Sequence, residues 1–160
     1  MKRALLLLLV LPLSACSTLV GLFVPARAVT VVEAGRSQFC PASSEKLSAQ
    51  FFITAEAVLN YEAQAGVDLH PGEPLPPASY VLIGMGQRPS GGYGLLVDPS
   101  AYVDGDVARL HVTAITPRPD SAPPPEPSSP CLLVRLPAGE WRGAAVYDEN
   151  GSRRAKTYRY

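Results

Sequence analysis

The sequence predicts an α+β protein, a mainly antiparallel β-sheet domain with one short helix, following a cleaved N-terminal signal. Three observations carry this reading. Short apolar or β-branched segments recur between Gly- and Pro-rich turns from Ala28 to the end of the chain. One stretch, Thr54 to Gly66, carries both a helix start and a helix stop. The chain opens with Met1-Lys2-Arg3, an apolar run from Ala4 to Leu11 and a small-residue site at Leu13-Ser14-Ala15, the order of a secretory signal.

In chain order, residues 16–27 mix apolar and small side chains and read as a tether. Ala28 to Glu33 is β-branched and reads as a strand. Lys46 to Ile53 reads as a second. Thr54 then offers a side-chain oxygen as N-cap, Glu56 sits in the favourable first turn, Val58 and Leu59 begin an apolar face, and Gly66 supplies the stop. Further strands are predicted at Ala78 to Met85, Gly92 to Val97, Val107 to Thr116, Cys131 to Leu136 and Ala144 to Asp148. The third of these is the plainest: Ala108, Leu110, Val112 and Ala114 alternate with Arg109, His111 and Thr113, which puts one face in a core and the other in water. Asn150-Gly151 predicts a type I′ hairpin turn into a final strand over Arg154 to Tyr160. The run from Pro117 to Pro130 lacks the N–H groups a ladder needs and is predicted to be a stiff hairpin loop. Residues 28–160 are expected to form a single domain, a size that buries roughly 68 to 70% of the unfolded chain's surface.

The apolar run at the N-terminus is shorter than the roughly 20 residues a membrane span requires. Its ending, Leu13-Ser14-Ala15-Cys16, resembles the lipobox of bacterial lipoproteins. The resemblance implies cleavage after residue 15, acylation of Cys16 by chains that each contribute roughly 0.8 kcal/mol per buried methylene, and a membrane partner held through that lipid. Ser17, where inner-membrane retention usually shows Asp, implies the outer membrane facing the periplasm. Cleavage removes two of the 14 basic residues and leaves the mature chain slightly acidic against 14 acidic ones. That balance excludes a nucleic-acid partner, which needs clustered positive charge.

With Cys16 acylated, Cys40 and Cys131 remain as a pair in an oxidising compartment and are expected to be bonded. Closing the long loop between them stabilises by roughly 4 to 5 kcal/mol. No Cys-x-x-Cys is present and the histidines number two, so neither a metal site nor a cofactor is expected. His70, in Leu69-His70-Pro71-Gly72, reads as a loop residue. His111 stands on the wet face of its strand as an unsupported general base. Asp104-Gly105-Asp106 lacks the remaining spacing of a calcium loop and reads as a tight turn.

The Gly-rich run Gly84 to Gly94 fails the tests for nucleotide and nucleophile motifs. Pro89 stands where a dinucleotide loop needs its third glycine, Gly92 where a phosphate loop needs lysine, and Arg88 where a nucleophile elbow needs glycine before Ser90. No catalytic residue is predicted. Read physically, Arg88-Pro89-Ser90-Gly91-Gly92-Tyr93 is a turn in which Pro89 fixes φ, the glycines permit positive φ and Tyr93 begins the next strand.

The stretch Tyr80 to Val97 containing this loop, a strand ending at Thr116-Pro117, a variable loop, and then Ser129-Pro130-Cys131-Leu-Leu-Val-Arg-Leu-Pro137 resemble the C-terminal domain of the PrcB protease-complex subunit family. That family carries a Gly-x-x-Pro-Thr/Ser-Gly-Gly-Tyr loop followed by the same succession of strands. The similarity covers about residues 79–137, and the Pro117 to Pro130 loop departs from the family pattern. The resemblance implies an envelope lipoprotein that is not an enzyme and that associates with a secreted protease. It places the contact on Pro89, Ser90, Gly91, Gly92 and Tyr93, with Arg88 beside them, because an aromatic on a tight loop suits an interface anchor. The loop is also similar to that of chagasin-like cysteine-protease inhibitors, with Arg88 and Gly91 differing, which implies an inhibitor as the alternative. A structural envelope lipoprotein whose loop merely joins two strands is the third reading.

Overall fold

A computed structural model describes residues 27–72 and 74–159. The signal (1–15), the lipidation residue Cys16 and the tether up to residue 26 lie outside the described residues. The described residues form ten strands and one helix in the order β1 (Arg27–Thr30), β2 (Val32–Ser37), β3 (Ser48–Phe52), α1 (Ala55–Ala65), β4 (Tyr80–Gly84), β5 (Gly94–Val97), β6 (Ser100–Asp104), β7 (Val107–Ile115), β8 (Cys131–Arg135), β9 (Gly143–Tyr147) and β10 (Arg153–Tyr158). The mainly antiparallel α+β architecture is as the sequence predicts.

The strands form two sheets. One runs β1-β6-β7-β9-β10, with β5 also on β7; the other runs β2-β8-β4-β3. All ladders are antiparallel except β7 with β9. The sheets face one another across a core of Val81, Ile83, Leu132 and Val134 on one side and Leu95, Leu110, Val112 and Val146 on the other. The second face of the four-stranded sheet is covered as well. Tyr80, Leu82, Cys131 and Leu133 pack there with Val58 of α1, Phe52, Leu69 and Cys40. Burial on both faces is why β4 and β8 read Tyr-Val-Leu-Ile and Cys-Leu-Leu-Val without alternation, whereas β7 alternates because its outer face meets solvent. Each fully buried Leu, Ile or Val here contributes about 1.5 to 3 kcal/mol.

Two strands pass through sharp interruptions. The predicted strand over 28–33 divides at Val31, whose N–H bonds Pro99 O at 2.9 Å, and the chain switches from β6 in one sheet to β8 in the other. Asp98-Pro99 likewise separates β5 from β6. Pro99 cannot donate to the ladder, and the pairing with β7 shifts by two residues between Val97↔Val112 and Tyr102↔Arg109. β6 itself is absent from the sequence reading.

The helix follows its expected caps. Thr54 Oγ1 accepts from Ala57 N at 3.2 Å, and Gly66 takes the left-handed conformation at φ 65°. Two other expectations are corrected. The segment from Pro117 to Pro130 is not a hairpin loop, since β7 and β8 belong to different sheets and the segment crosses between them. The β9–β10 turn spans Asp148 to Gly151, closed by Gly151 N to Asp148 O at 3.0 Å, so its central residues are Glu149 and Asn150 and Gly151 follows at φ 74°. Asp148 fixes that register: its Oδ1 accepts from Asn150 N and Ser152 N, and its Oδ2 from Arg154 Nε at 2.6 Å.

Registers assign the loops to two ends of the sandwich. Loops 38–47, 85–93, 116–130 and 148–152 share one end. Arg27, the turn at Gly105-Asp106 and the segment 137–141 share the opposite end.

Candidate functional site

The loop Arg88 to Tyr93 is held from both sides. On one side Gln87 N bonds Ser44 O and Gln87 Nε2 bonds Ala42 O, each at 2.9 Å. On the other, Arg88 N bonds Ser128 O at 2.7 Å, Ser128 N returns to Arg88 O at 3.1 Å, Ser128 Oγ donates to Ser90 O at 2.6 Å and Gly91 N bonds Pro124 O at 2.9 Å. The proline-rich segment is therefore a strap across the loop. Proline suits the task because a chain with few N–H groups and a restricted φ loses little entropy when fixed.

The two glycines have different reasons. Gly92 sits at φ 80°, where L side chains are strained, and a Cβ there would lie 3.1 Å from the Pro117 ring. At Gly91 the constraint is space: a Cβ would meet three atoms of Pro124 at 3.0 to 3.2 Å, a tight contact that the proline ring must give way to accommodate. Arg88 turns inward. Its Nη2 donates to Met85 O at 2.5 Å and to Glu45 O at 3.1 Å, its Nε is buried without a partner, and its guanidinium lies 6.0 Å from the centroid of the Tyr93 ring. Tyr93 is half-buried against the inter-sheet core, and β5 begins one residue later at Gly94. Ser90 and Gly91 are partly buried, which leaves Pro89 and Gly92 as the exposed members of the predicted set.

Cys40 and Cys131 are bonded, with Cα atoms 6.0 Å apart across 91 positions of sequence. Cys40 N bonds Ser129 O at 3.0 Å and Ser129 Oγ donates to Cys40 O at 2.5 Å, so the bond fastens the 38–46 segment beside the strap. A depression of about 720 Å³ lies between Cys40 and Ala42 on one side and Gln87 to Pro89 and Pro127 to Ser129 on the other. Phe39, next to the disulfide and paired with Ser129, is 63% exposed. Sequence reasoning passed over it because nothing in its neighbours marks it as unburied.

The histidines lie elsewhere. His111 stands between Tyr102 and Tyr147, ring centroids 6.2 and 5.5 Å away, and Arg109 lies over Tyr147 while pairing with Asp104 at 3.6 Å. Among the described residues no carboxylate accepts a hydrogen bond from the His111 ring to orient it. His70 faces Glu62 on α1. Asp104 to Asp106 form the β6–β7 turn with Gly105 at φ 60°.

With this geometry in view, one comparison is positive. Residues 79–137 match the family described as PrcB C-terminal. The PrcB C-terminal match covers a little over a third of the chain, from the entry to β4 to just past β8, and includes the Gly-Gly-Tyr loop and its strap. No curated protein and no solved structure matches the chain.

Proposed function

We propose that this protein is a non-catalytic envelope lipoprotein, anchored through Cys16 to the outer membrane on its periplasmic side, that binds a secreted protease through the end of the sandwich bearing the Arg88 to Tyr93 loop. The observation that carries this reading is that the segment matching PrcB C-terminal builds a rigid, strapped loop at the end of the fold opposite Arg27. A tether attached at Arg27 directs that loop away from the membrane, toward soluble partners. The strap and the disulfide fix the surface in advance, so little ordering entropy opposes association. Pro89 and Phe39 project from it with few structural duties of their own.

The test is an affinity capture from native envelope extract with the lipidated chain and a Pro89→Arg, Phe39→Ser variant, the captured proteins being identified by mass spectrometry. A secreted protease enriched by the parent and reduced roughly tenfold or more in the variant supports the reading, the loss expected when central interface side chains are removed. Equal capture by both chains, or capture of no protease, refutes it. A Cys16→Ser companion is expected to leave the membrane pellet for the soluble fraction; if it stays, the anchor lies elsewhere.

A further inference from the structure

The strongest unassigned chemistry lies away from the loop end, where α1 meets the segment following it. Glu62 occupies the last turn of α1 and is only 9% exposed. A carboxylate there is disfavoured twice, because burial removes its hydration and because the helix C-terminus already carries partial negative charge. No basic residue stands in that last turn to offset it. What stabilises the side chain instead is the following segment: Oε1 accepts from Leu69 N at 2.7 Å and lies 2.9 Å from His70 Nδ1.

Only half of the carboxylate is used. Among the described residues Oε2 receives no hydrogen bond. Arg88 Nε is the one fully buried, unpartnered side-chain polar atom among them, so Oε2 keeps contact with solvent. Asp68 is exposed, and one donor atom each from Glu62, Asp68 and His70 lies within 4.8 Å of the others. The frame beneath is stiff: Gly66 turns the chain, Val67 N bonds Glu62 O, Leu69 is fully buried, and its carbonyl bonds Arg36 N of β2 at 2.8 Å.

We infer that Glu62, Asp68 and His70 form a binding site for one divalent transition-metal ion of the Zn²⁺ class, with its remaining coordination positions open to water. Two carboxylates and one imidazole suit such an ion, since the imidazole nitrogen disfavours the hard cations Ca²⁺ and Mg²⁺ and the absence of thiolate disfavours soft ones. The ion offsets the excess negative charge that the helix end and two carboxylates bring together. If His70 Nδ1 is the ligating atom, the proton it shares with Glu62 passes to solvent as the ion binds. Glu62 Oε1 and His70 Nδ1, 2.9 Å apart, already have the separation of two ligands in one shell, and Asp68, the exposed member, is the one with room to move toward them.

Zn²⁺ titration of the purified, metal-stripped chain by calorimetry, beside Asp68→Asn and His70→Gln variants, tests the site. The Asp68 side chain has no hydrogen-bonding role among the described residues, so its variant keeps the fold. The expected result is one ion per chain, an unfolding midpoint raised by roughly 5 °C or more at hundredfold excess over Kd, and at least a tenfold loss of affinity in each variant. Binding retained in both variants marks adventitious Zn²⁺ at another place and overturns the inference, as does no binding by the parent at millimolar Zn²⁺. In the latter case Glu62 and His70 serve only to close the helix end.

Discussion

Replacing both Cys40 and Cys131 with alanine removes the covalent link between the 38–46 segment and the start of β8. The loop closed by that link spans 91 positions, and the chain-entropy relation gives about 4.6 kcal/mol for it at 25 °C. Small domains are stable by about 5 to 15 kcal/mol, so the bond accounts for a third or more of the total. With a urea dependence of about 2 kcal/mol per molar, the unfolding midpoint of the double variant falls by about 2 M. A single Cys40→Ala substitution gives nearly the same fall, because either cysteine alone breaks the link, and reductant has no further effect on the double variant. Chemical denaturation followed by intrinsic fluorescence of Trp141 reads all three. A fall below about 0.5 M, about 1 kcal/mol at the same slope, refutes the reasoning, since it means that the unfolded chain is already constrained or that the bond is not formed in the native protein.

Two further perturbations test the packing and the electrostatics. Gly35→Ala places a Cβ 1.9 Å from Leu69 O, so the 67–70 segment must leave β2; a loss of about 2 kcal/mol is expected by calorimetry, and an unchanged midpoint contradicts the close approach. Asp148 is held below its ordinary value of 3.8, first by the Ser152 N–H, then by the Arg154 side chain and the Asn150 N–H against the opposing effect of burial. A depressed carboxyl stabilises the fold above that value and ceases to do so as pH falls through the lower folded value. Asp148→Asn is therefore expected to lower the denaturation midpoint at pH 7 and to differ progressively less from the parent as the pH drops below 3.8. A difference independent of pH rules out the charge as its cause.

Features encoded by near neighbours were legible in the sequence. Thr54 and Gly66 bracket α1 because each acts on backbone groups within one turn. Ala114, expected on the buried face of β7, is exposed because the strand runs past the edge of the core after Val112, but β7 still announces itself through the alternation of Ala108, Leu110 and Val112 with Arg109 and His111. β6 does not, since Ser100 to Asp104 offers two inward side chains behind Asp98-Pro99 and resembles the turn around it. The loop was recognised as a turn, but the direction of Arg88 was out of reach, because its carbonyl partners include Glu45 and its backbone partner is Ser128, each about 40 residues away. Both glycines of the loop permit positive φ, but only Gly92 adopts it; at Gly91 the close Pro124 ring, distant in sequence, is what crowds a side chain. His70 read as a loop residue because its contact with Glu62 depends on how the chain folds back after Gly66.

The parallel pairing of β7 with β9 has a consequence for any fragment of this protein. Between these neighbours the chain visits the other sheet to lay down β8, so neither sheet can be completed before the other has begun. The segment 79–137 ends before β9 and starts after β2. Cut out alone, it would leave β4 without β3, β6 without β1, β7 without β9 and β8 without β2, and such bare edges recruit other strands. The stretch that is recognisable by sequence is thus smaller than the unit that can fold, and excising it is expected to give aggregation where the segments before and after it now supply the missing neighbours.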